Sequence, residues 1–297
     1  MKDNTNLFDF YTRFSNEQAC INYLEKVRWG DTRTCPHCNS TKTYRYADGR
    51  LFKCGECRKQ FTVRLGTIFG ESKVPLQKWF LVIYLATSLK KGISSIQVHK
   101  YAGVTQKTAW FMLQRIRSAI ENDTSPLQLE NAVEVDETYV GGKRRGSKRG
   151  RGGEHKGAVV GIAQRQGAVR AEATKNTKRK IVSKLIRENV KIGTTVYTDE
   201  YPVYNNLSAQ GYLHEACNHS QKKYVNGNAH TNTIEGFWSH LKRGIDGVYH
   251  HVSKKHLNKY VKEYEYRYNT RALSDFDRFT LWFNSAHYNL SYARLIS

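Results

Sequence analysis

Four cysteines constrain this chain more than any other residues. They stand as CPHC and CGEC (Cys35, Cys38, Cys54 and Cys57), with fifteen residues between the two pairs. Each C-x2-C knuckle turns tightly enough to aim two thiolates at one ion, and two knuckles at this separation match a four-thiolate Zn2+ site. The spacer YRYADGRLFKC predicts a hairpin with Asp48-Gly49 at its turn. Two disulfides are the alternative, but they do not persist in a reducing cell interior. Cys20 and Cys217 lack such partners and read as buried thiols.

Charge narrows the function. Lys and Arg outnumber Asp and Glu by 48 to 26 in 297 residues, a net charge of +22 spread along the chain. That surplus points to a polyanionic partner, nucleic acid before any other. A chain this long supports one large core plus one or two small modules. Its first residues, MKDNTNLFDFYTRF, contain no apolar core of signal-peptide type. The longest apolar stretch, WFLVIYLA at 79–86, falls far short of the roughly 20 residues a bilayer span needs. The expectation is a soluble intracellular, cytoplasmic protein with no membrane partner.

Helical patterns flank the cysteines. SNEQACINYLEKVRWG predicts a helix, with Ser15 and Gln18 at capping-box spacing. Pro75 opens a second helix that runs to Gly92. A short helix after Ser94 ends at Gly103, and Thr105 caps a longer one with Ala109, Met112, Leu113, Ile116 and Ile120 on one face. Two helices about a glycine turn, the second carrying Arg115 and Arg117, fit a helix-turn-helix. A packing hairpin with solvated arginines fits equally well. Gln106, Lys107 and Arg115 are the expected DNA contacts, with Gln114 beside them.

From residue 131 the pattern becomes strand-like. NAVEVDETYV alternates and places Asp136 and Glu137 back to back, although acids are poor strand formers and costly to bury. KGAVVGIAQRQGAVRAEAT reads as a hairpin turning near Gln166-Gly167, and KRKIVSKLIREN as a helix. TTVYTDEY reads as a strand ending at Asp199, followed by a helix over YPVYNNLSAQG. This order predicts a mixed α/β layer fold, in which ligands gather beside strand ends. In AHTNTIEGFWSHLKRG, a helix puts Asn232, Glu235, Ser239 and Lys242 along one face, while Trp238 and Leu241 point elsewhere and anchor it. A single Asp at a strand end is usually a cap or turn former. Three acids in a strongly basic chain call for a different reason, and divalent cations supply one. Mg2+ takes a few carboxylates and phosphate oxygens, and a pair of such ions assists phosphoryl transfer.

VEVDETYVGGK, VYTDEYPVYNNL and HTNTIEGFWSHLKRG, with YHHVSKKHLNKYVKEYEYRYN after them, resemble the DDE-type transposases of bacterial insertion sequences. The closest likeness is to the group with an N-terminal zinc ribbon and an integrase-like core, and it spans roughly residues 15–278. The resemblance implies an RNase H-like mixed sheet flanked by helices. It also implies metal-dependent DNA cleavage and strand transfer, with Mg2+ or Mn2+ at Asp136, Asp199 and Glu235 and with Lys242 as the basic residue that follows. Strand parity alone leaves Glu134, Asp136 and Glu137 open; the resemblance selects Asp136. The third metal-site residue of this broad group is an acid or an asparagine, so Asn232 shares the candidacy with Glu235. Glu235 is favoured because a carboxylate binds Mg2+ better.

The cations Lys143, Arg144, Arg145, Lys148, Arg149 and Arg151 read as an arm that neutralises phosphates. A solvated loop is the alternative for any one of them. Arg243, His250 and Lys254 complete the expected DNA surface. His214, Cys217 and His219 are too irregularly spaced to make a second zinc site. The expected organisation is a helical segment at 1–32, a zinc ribbon at 33–66 and a helix-turn-helix-like module at 67–125. The catalytic core follows at 126–275 and a helical tail at 276–297. The expected function is a transposase acting on double-stranded element ends and target DNA as a homo-oligomer. A nuclease or resolvase that cuts without joining and a zinc-ribbon regulator with an inactive core are the rivals.

Overall fold

The computed structural model describes residues 6–122, 128–141, 156–217, 230–286, 290 and 295. The chain forms two compact units, one of Met1–Asp123 with Leu273–Ser297 and one of Thr124–Ala272.

Unit one starts with α1 (Leu7–Arg13) and α2 (Glu17–Trp29). The cap of α2 is Asn16, whose side chain accepts from the Ala19 N–H, and not Ser15 as the capping-box spacing suggested. The ribbon follows as an antiparallel sheet of β1 (Thr43–Arg45), β2 (Leu51–Cys54) and β3 (Gln60–Thr62). Its turn forms at Asp48-Gly49, where the Asp48 carboxylate accepts from the N–H groups of Arg50 and Leu51 and Gly49 takes a φ of 68°.

Next comes α3 (Leu76–Ser88). It stops short of Gly92, because Leu89 turns extended and Gly92 sits at a φ of 92° in the turn that follows. Pro75 offers no capping oxygen. Glu17 supplies one from α2 instead, accepting from Leu76 N at 3.0 Å and Gln77 N at 3.1 Å while Arg64 binds the same carboxylate at 2.6 Å. α4 (Ser95–Ala102) and α5 (Gln106–Glu121) form the helix pair with Gly103 in the left-handed turn. α9 (Asp275–Trp282) closes the unit from the far end of the sequence. The Phe279 ring lies 5.1 Å from Phe10, 5.6 Å from Phe14 and 5.6 Å from Phe80, which is the edge-on spacing aromatic rings prefer.

The helix pair is only partly available to DNA. Gln106 and Lys107 are exposed, but α5 is buried from Met112 to Ile120. Arg115, expected to touch DNA, is 9% exposed and donates to the Ile68 carbonyl; Gln114 and Arg117 are buried as well. These three residues pack inside the unit, so the arginines are not solvated as the packing-hairpin alternative had them.

Unit two is a five-stranded sheet in the order β6-β5-β4-β7-β8. β4 (Ala132–Val140), β5 (Gly157–Gln164) and β6 (Val169–Thr174) pair antiparallel, while β7 (Thr195–Thr198) and β8 (Leu213–Ala216) join β4 in parallel. This is the RNase H-like strand order. Period-two alternation divides β4 between two cores. Val133 and Val135 pack against α6 (Arg179–Asn189), whereas Val140 joins α7 (Asn232–Gly244) and α8 (Leu257–Asn269) on the opposite face. The helix expected over 201–211 is instead two short 3-10 turns, Pro202–Tyr204 and Ser208–Gln210. Asn205, Asn206 and Ser208 favour turns over helix there. The edge strand β8 was not anticipated.

Among the described residues, no helix is long and apolar enough to cross a membrane. Lys143, Arg144, Arg145, Lys148, Arg149, Arg151 and His219 lie outside the described residues.

Candidate active site

Alternation along β4 puts Glu134, Asp136 and Thr138 on the α7 face, and Glu137 on the other. Asp199 follows β7 directly, and its Oδ1 accepts the Tyr201 N–H at 3.0 Å, which fixes the turn out of the strand. Because β4 and β7 are parallel neighbours, paired at Glu134 and Tyr197, both acids lie on the same side of that pairing. Helix α7 brings the third. Asp136, Asp199, Glu235, Trp238, Ser239 and Lys242 all line one open cavity of about 420 Å³, together with Glu137, Thr138 and Thr231. Asn232, in the first turn of α7, is exposed and does not line it.

Trp238 has a part that sequence reasoning missed. Its indole Nε1–H donates to Asp136 Oδ2 at 3.0 Å. A Cβ placed on Gly161, the residue paired with Asp136 across β4 and β5, would meet the indole at 2.5 Å and Ile234 at 2.9 Å. Glycine at 161 is what lets α7 lie this close to the sheet. Thr231 donates its hydroxyl to Glu235 Oε1 at 2.9 Å, holding the third carboxylate at the cavity wall.

The proximity of the acids shows in the titration of Asp136. Burial, and then the nearby charges of Asp199 and Glu235, push Asp136 up from 3.8 to about 6, against the opposing pull of the Glu137 and Trp238 N–H groups. A cation in the cavity would remove that repulsion, and oxygen-only donors suit Mg2+ or Mn2+. Glu137 is committed elsewhere, accepting the Tyr204 hydroxyl at 2.6 Å.

Glu134 is fully buried and accepts four hydrogen bonds. Its Oε2 accepts Thr233 N at 2.7 Å and Ile234 N at 3.1 Å, so it caps α7 from the sheet. Its Oε1 accepts the Thr233 hydroxyl at 2.9 Å and Arg165 Nε at 2.8 Å. His230 Nδ1 stands 3.1 Å away but out of line for a hydrogen bond.

The ribbon cysteines converge as their spacing requires. The four sulfurs lie within 4.8 Å of one another, with Cys35 and Cys57 at 3.7 Å and Cys38 and Cys54 at 3.5 Å. A tetrahedron with Zn–S bonds of about 2.3 Å has edges of about 3.8 Å, so the cluster fits Zn2+. Burial raises the Cys54 thiol, yet the N–H groups of Cys57 and Glu56 and the thiols of Cys38 and Cys57 bring it down to about 6. The same thiol network pushes Cys38 the other way, up to about 12, so the thiols share their protons unequally and Cys54 is the one held as the thiolate a metal binds. Among the described residues no other group of His, Cys, Asp and Glu draws together this tightly, the three cavity acids included. Cys20 and Cys217 are buried thiols, and His214 accepts or donates at the Thr198 hydroxyl. Of the remaining expected DNA contacts, Arg243, His250 and Lys254 are exposed, and Lys254 lines a second cavity with Lys156, Lys175 and Lys255.

A four-thiolate ribbon and an RNase H-like core with clustered acids define a class, the zinc-ribbon DDE-type enzymes. The family itself follows from similarity along the chain. Residues 128–269 match the ISXO2-like transposase domain, and residues 15–60 match the transposase zinc-ribbon domain. A protein of the transposable element ISH50 from Halobacterium salinarum is 31% identical over 276 residues, covering 86% of this chain and 91% of that one. A transposase-like protein of Haemophilus influenzae is 36% identical over 89 residues, 30% of this chain and 71% of that one. The chain belongs to the insertion-sequence transposases with an N-terminal zinc ribbon. A simian T-cell lymphotropic virus intasome in complex with PP2A regulatory subunit B56 gamma aligns at a TM-score of 0.30 and 12% identity. That alignment covers 58% of this chain and 67% of that one, a likeness too slight to carry an argument.

Proposed function

We propose that this transposase cuts DNA at the ends of its element and joins the freed 3′-hydroxyl to target DNA, with Asp136, Asp199 and Glu235 holding Mg2+ or Mn2+. The observation that supports this reading is the meeting of three acids from β4, β7 and α7 with Lys242 at one open cavity in a chain of net charge +22. When bound, the divalent ions would neutralise phosphate charge and acidify the attacking hydroxyl. Lys242 faces the same cavity and attracts a phosphate, while Trp238 fixes the orientation of Asp136. The exposed Gln106, Lys107, Arg243, His250 and Lys254 contact DNA. Glu235 is the third acid in this reading, since Asn232 stands outside the cavity.

The test is to incubate the protein with labelled element ends, target plasmid and Mg2+. Cleaved ends and joined products are expected with the wild type. Asp136→Ala, Asp199→Ala and Glu235→Ala should each lose about 10²–10³-fold or more in rate, and Asn232→Ala should keep most of it. Cleavage without joining would make the protein a nuclease, and DNA binding with neither would make it a regulator.

A further inference from the structure

Arg165 follows β5, outside the cavity that the three acids share, and among the described residues its hydrogen-bond and ring partners lie on β4, on β7 and at the entry to α7. Its Nε donates to Glu134 on β4 at 2.8 Å, and its guanidinium stacks 3.9 Å over the Tyr197 ring on β7. Its Nη2 donates to the His230 carbonyl, at the entry to α7, at 2.9 Å. Glu134 completes the connection by binding Thr233 through both backbone and hydroxyl. The spacing is regular. Glu134 precedes Asp136 by two residues, Tyr197 precedes Asp199 by two, and Thr233 precedes Glu235 by two.

We infer that Glu134 and Arg165 are positioning residues which hold β4, β7 and α7 in the mutual placement that lets Asp136, Asp199 and Glu235 share a divalent cation. Like charges on the three acids push these elements apart, against which the cavity itself sets Lys242 and the Trp238–Asp136 hydrogen bond. The Glu134–Arg165 pair two residues behind adds an attraction that reaches all three elements. An ion pair with one partner fully buried and the other 19% exposed is a poor source of stability but a strict source of geometry, since removing Arg165 would strand the buried Glu134 charge. Contacts that orient metal ligands from behind typically change metal affinity about 10–100-fold when removed. The inference rests on the reading of the three acids as a cation site, and assigns roles to residues that touch neither cation nor DNA.

The experiment is a Mn2+ binding isotherm on the full-length zinc-loaded protein, read from the paramagnetic resonance of free Mn2+, with Asp136→Asn plus Asp199→Asn defining the background. Glu134→Gln keeps the shape and an acceptor for the α7 N–H groups but removes the charge facing Arg165. Glu134→Gln with Arg165→Gln removes the pair together and leaves no stranded charge. Tyr197→Leu takes away only the ring beneath the guanidinium. Mn2+ affinity should fall about tenfold or more in the first two and a few-fold in the third, while metal-free affinity for duplex DNA stays within about twofold. Folded variants that bind Mn2+ as the wild type does would overturn the inference, as would a fall that merely tracks the unfolded fraction in thermal melts. Wild type that binds no Mn2+ above background would overturn it together with the cation site. Wild type that binds Mn2+ but neither cuts nor joins DNA would sink the transposition chemistry alone, and the isotherms would still decide the role of the pair.

Discussion

The indole N–H of Trp238 meets Asp136 Oδ2 at 3.0 Å, tying the helix that carries the third acid to the strand that carries the first. The same ring closes over Gly161 on β5, so one side chain serves both packing and the orientation of a carboxylate. Position 161 is accordingly intolerant. Gly161→Ala should cost about 1–3 kcal/mol through overpacking, and should reduce strand cleavage because α7 must move. Trp238→Phe loses the bond and the ring atoms that close over Gly161, so cleavage should fall and the melting temperature should drop with it. Equal melting temperatures for Gly161→Ala and wild type would contradict this packing.

The acid cluster makes the stability of the metal-free protein depend on pH. Asp136 rises to about 6 in the folded state from 3.8. Its contribution is fully present below pH 3.8 and is lost as pH rises through 6, a change of about 3 kcal/mol at most. Mg2+ should therefore raise the melting temperature more at pH 8 than at pH 5, where a proton already occupies the site. Melts of wild type and Asp136→Asn across this range check the assignment. An unchanged pH dependence in the variant would place its origin elsewhere.

Zinc should be stoichiometric, at one ion per chain, and needed for the ribbon. Zinc-finger peptides gain about 10–16 kcal/mol of apparent binding energy from their ion. Cys54→Ser or strong chelation should therefore unfold β1–β3, seen as loss of amide protection at residues 43–62. A ribbon that keeps its protection without metal would refute the role of the cluster.

The two ends of α5 should behave differently toward DNA. Lys107→Ala removes an exposed cation, and the log-log salt slope of binding should flatten by about 0.9 if it touches a duplex phosphate. Arg115→Ala should leave that slope alone and lower stability instead, because it strips a donor from the Ile68 carbonyl. A flattened slope for Arg115→Ala would restore the helix-turn-helix reading of this face.

Much of this arrangement was legible in the chain. Cysteine spacing and the alternation of NAVEVDETYV need only local geometry, so the ribbon and β4 could be read directly. The period of α7 put Glu235, Ser239 and Lys242 on one face, and those three do meet at one cavity. Trp238 was read as an anchor pointing elsewhere because a helical projection shows where a side chain leaves the backbone. It does not show how far nine ring atoms can reach. LHEA gave no sign of β8, since its hydrogen bonds come from β7 and its side chains are mostly exposed. Arg115 looked solvated because charge is a good guide to the surface, and it fails when a carbonyl inside the fold takes up the guanidinium. The roles of Glu134 and Arg165 depend on three segments far apart in sequence, and no local pattern announces them.

Unit one is interrupted in the sequence: its aromatic centre needs Phe279 against Phe10, Phe14 and Phe80, and 149 residues of unit two (Thr124–Ala272) intervene. A ribosome makes Phe279 only after all of unit two. Unit two emerges whole and is free to fold as a block, whereas unit one waits with an open apolar face until α9 is translated. A premature stop or frameshift after codon 272 would therefore leave the acid cluster intact and spoil the zinc-bearing unit. Late nonsense alleles of such an element should produce a folded core inside an otherwise defective protein.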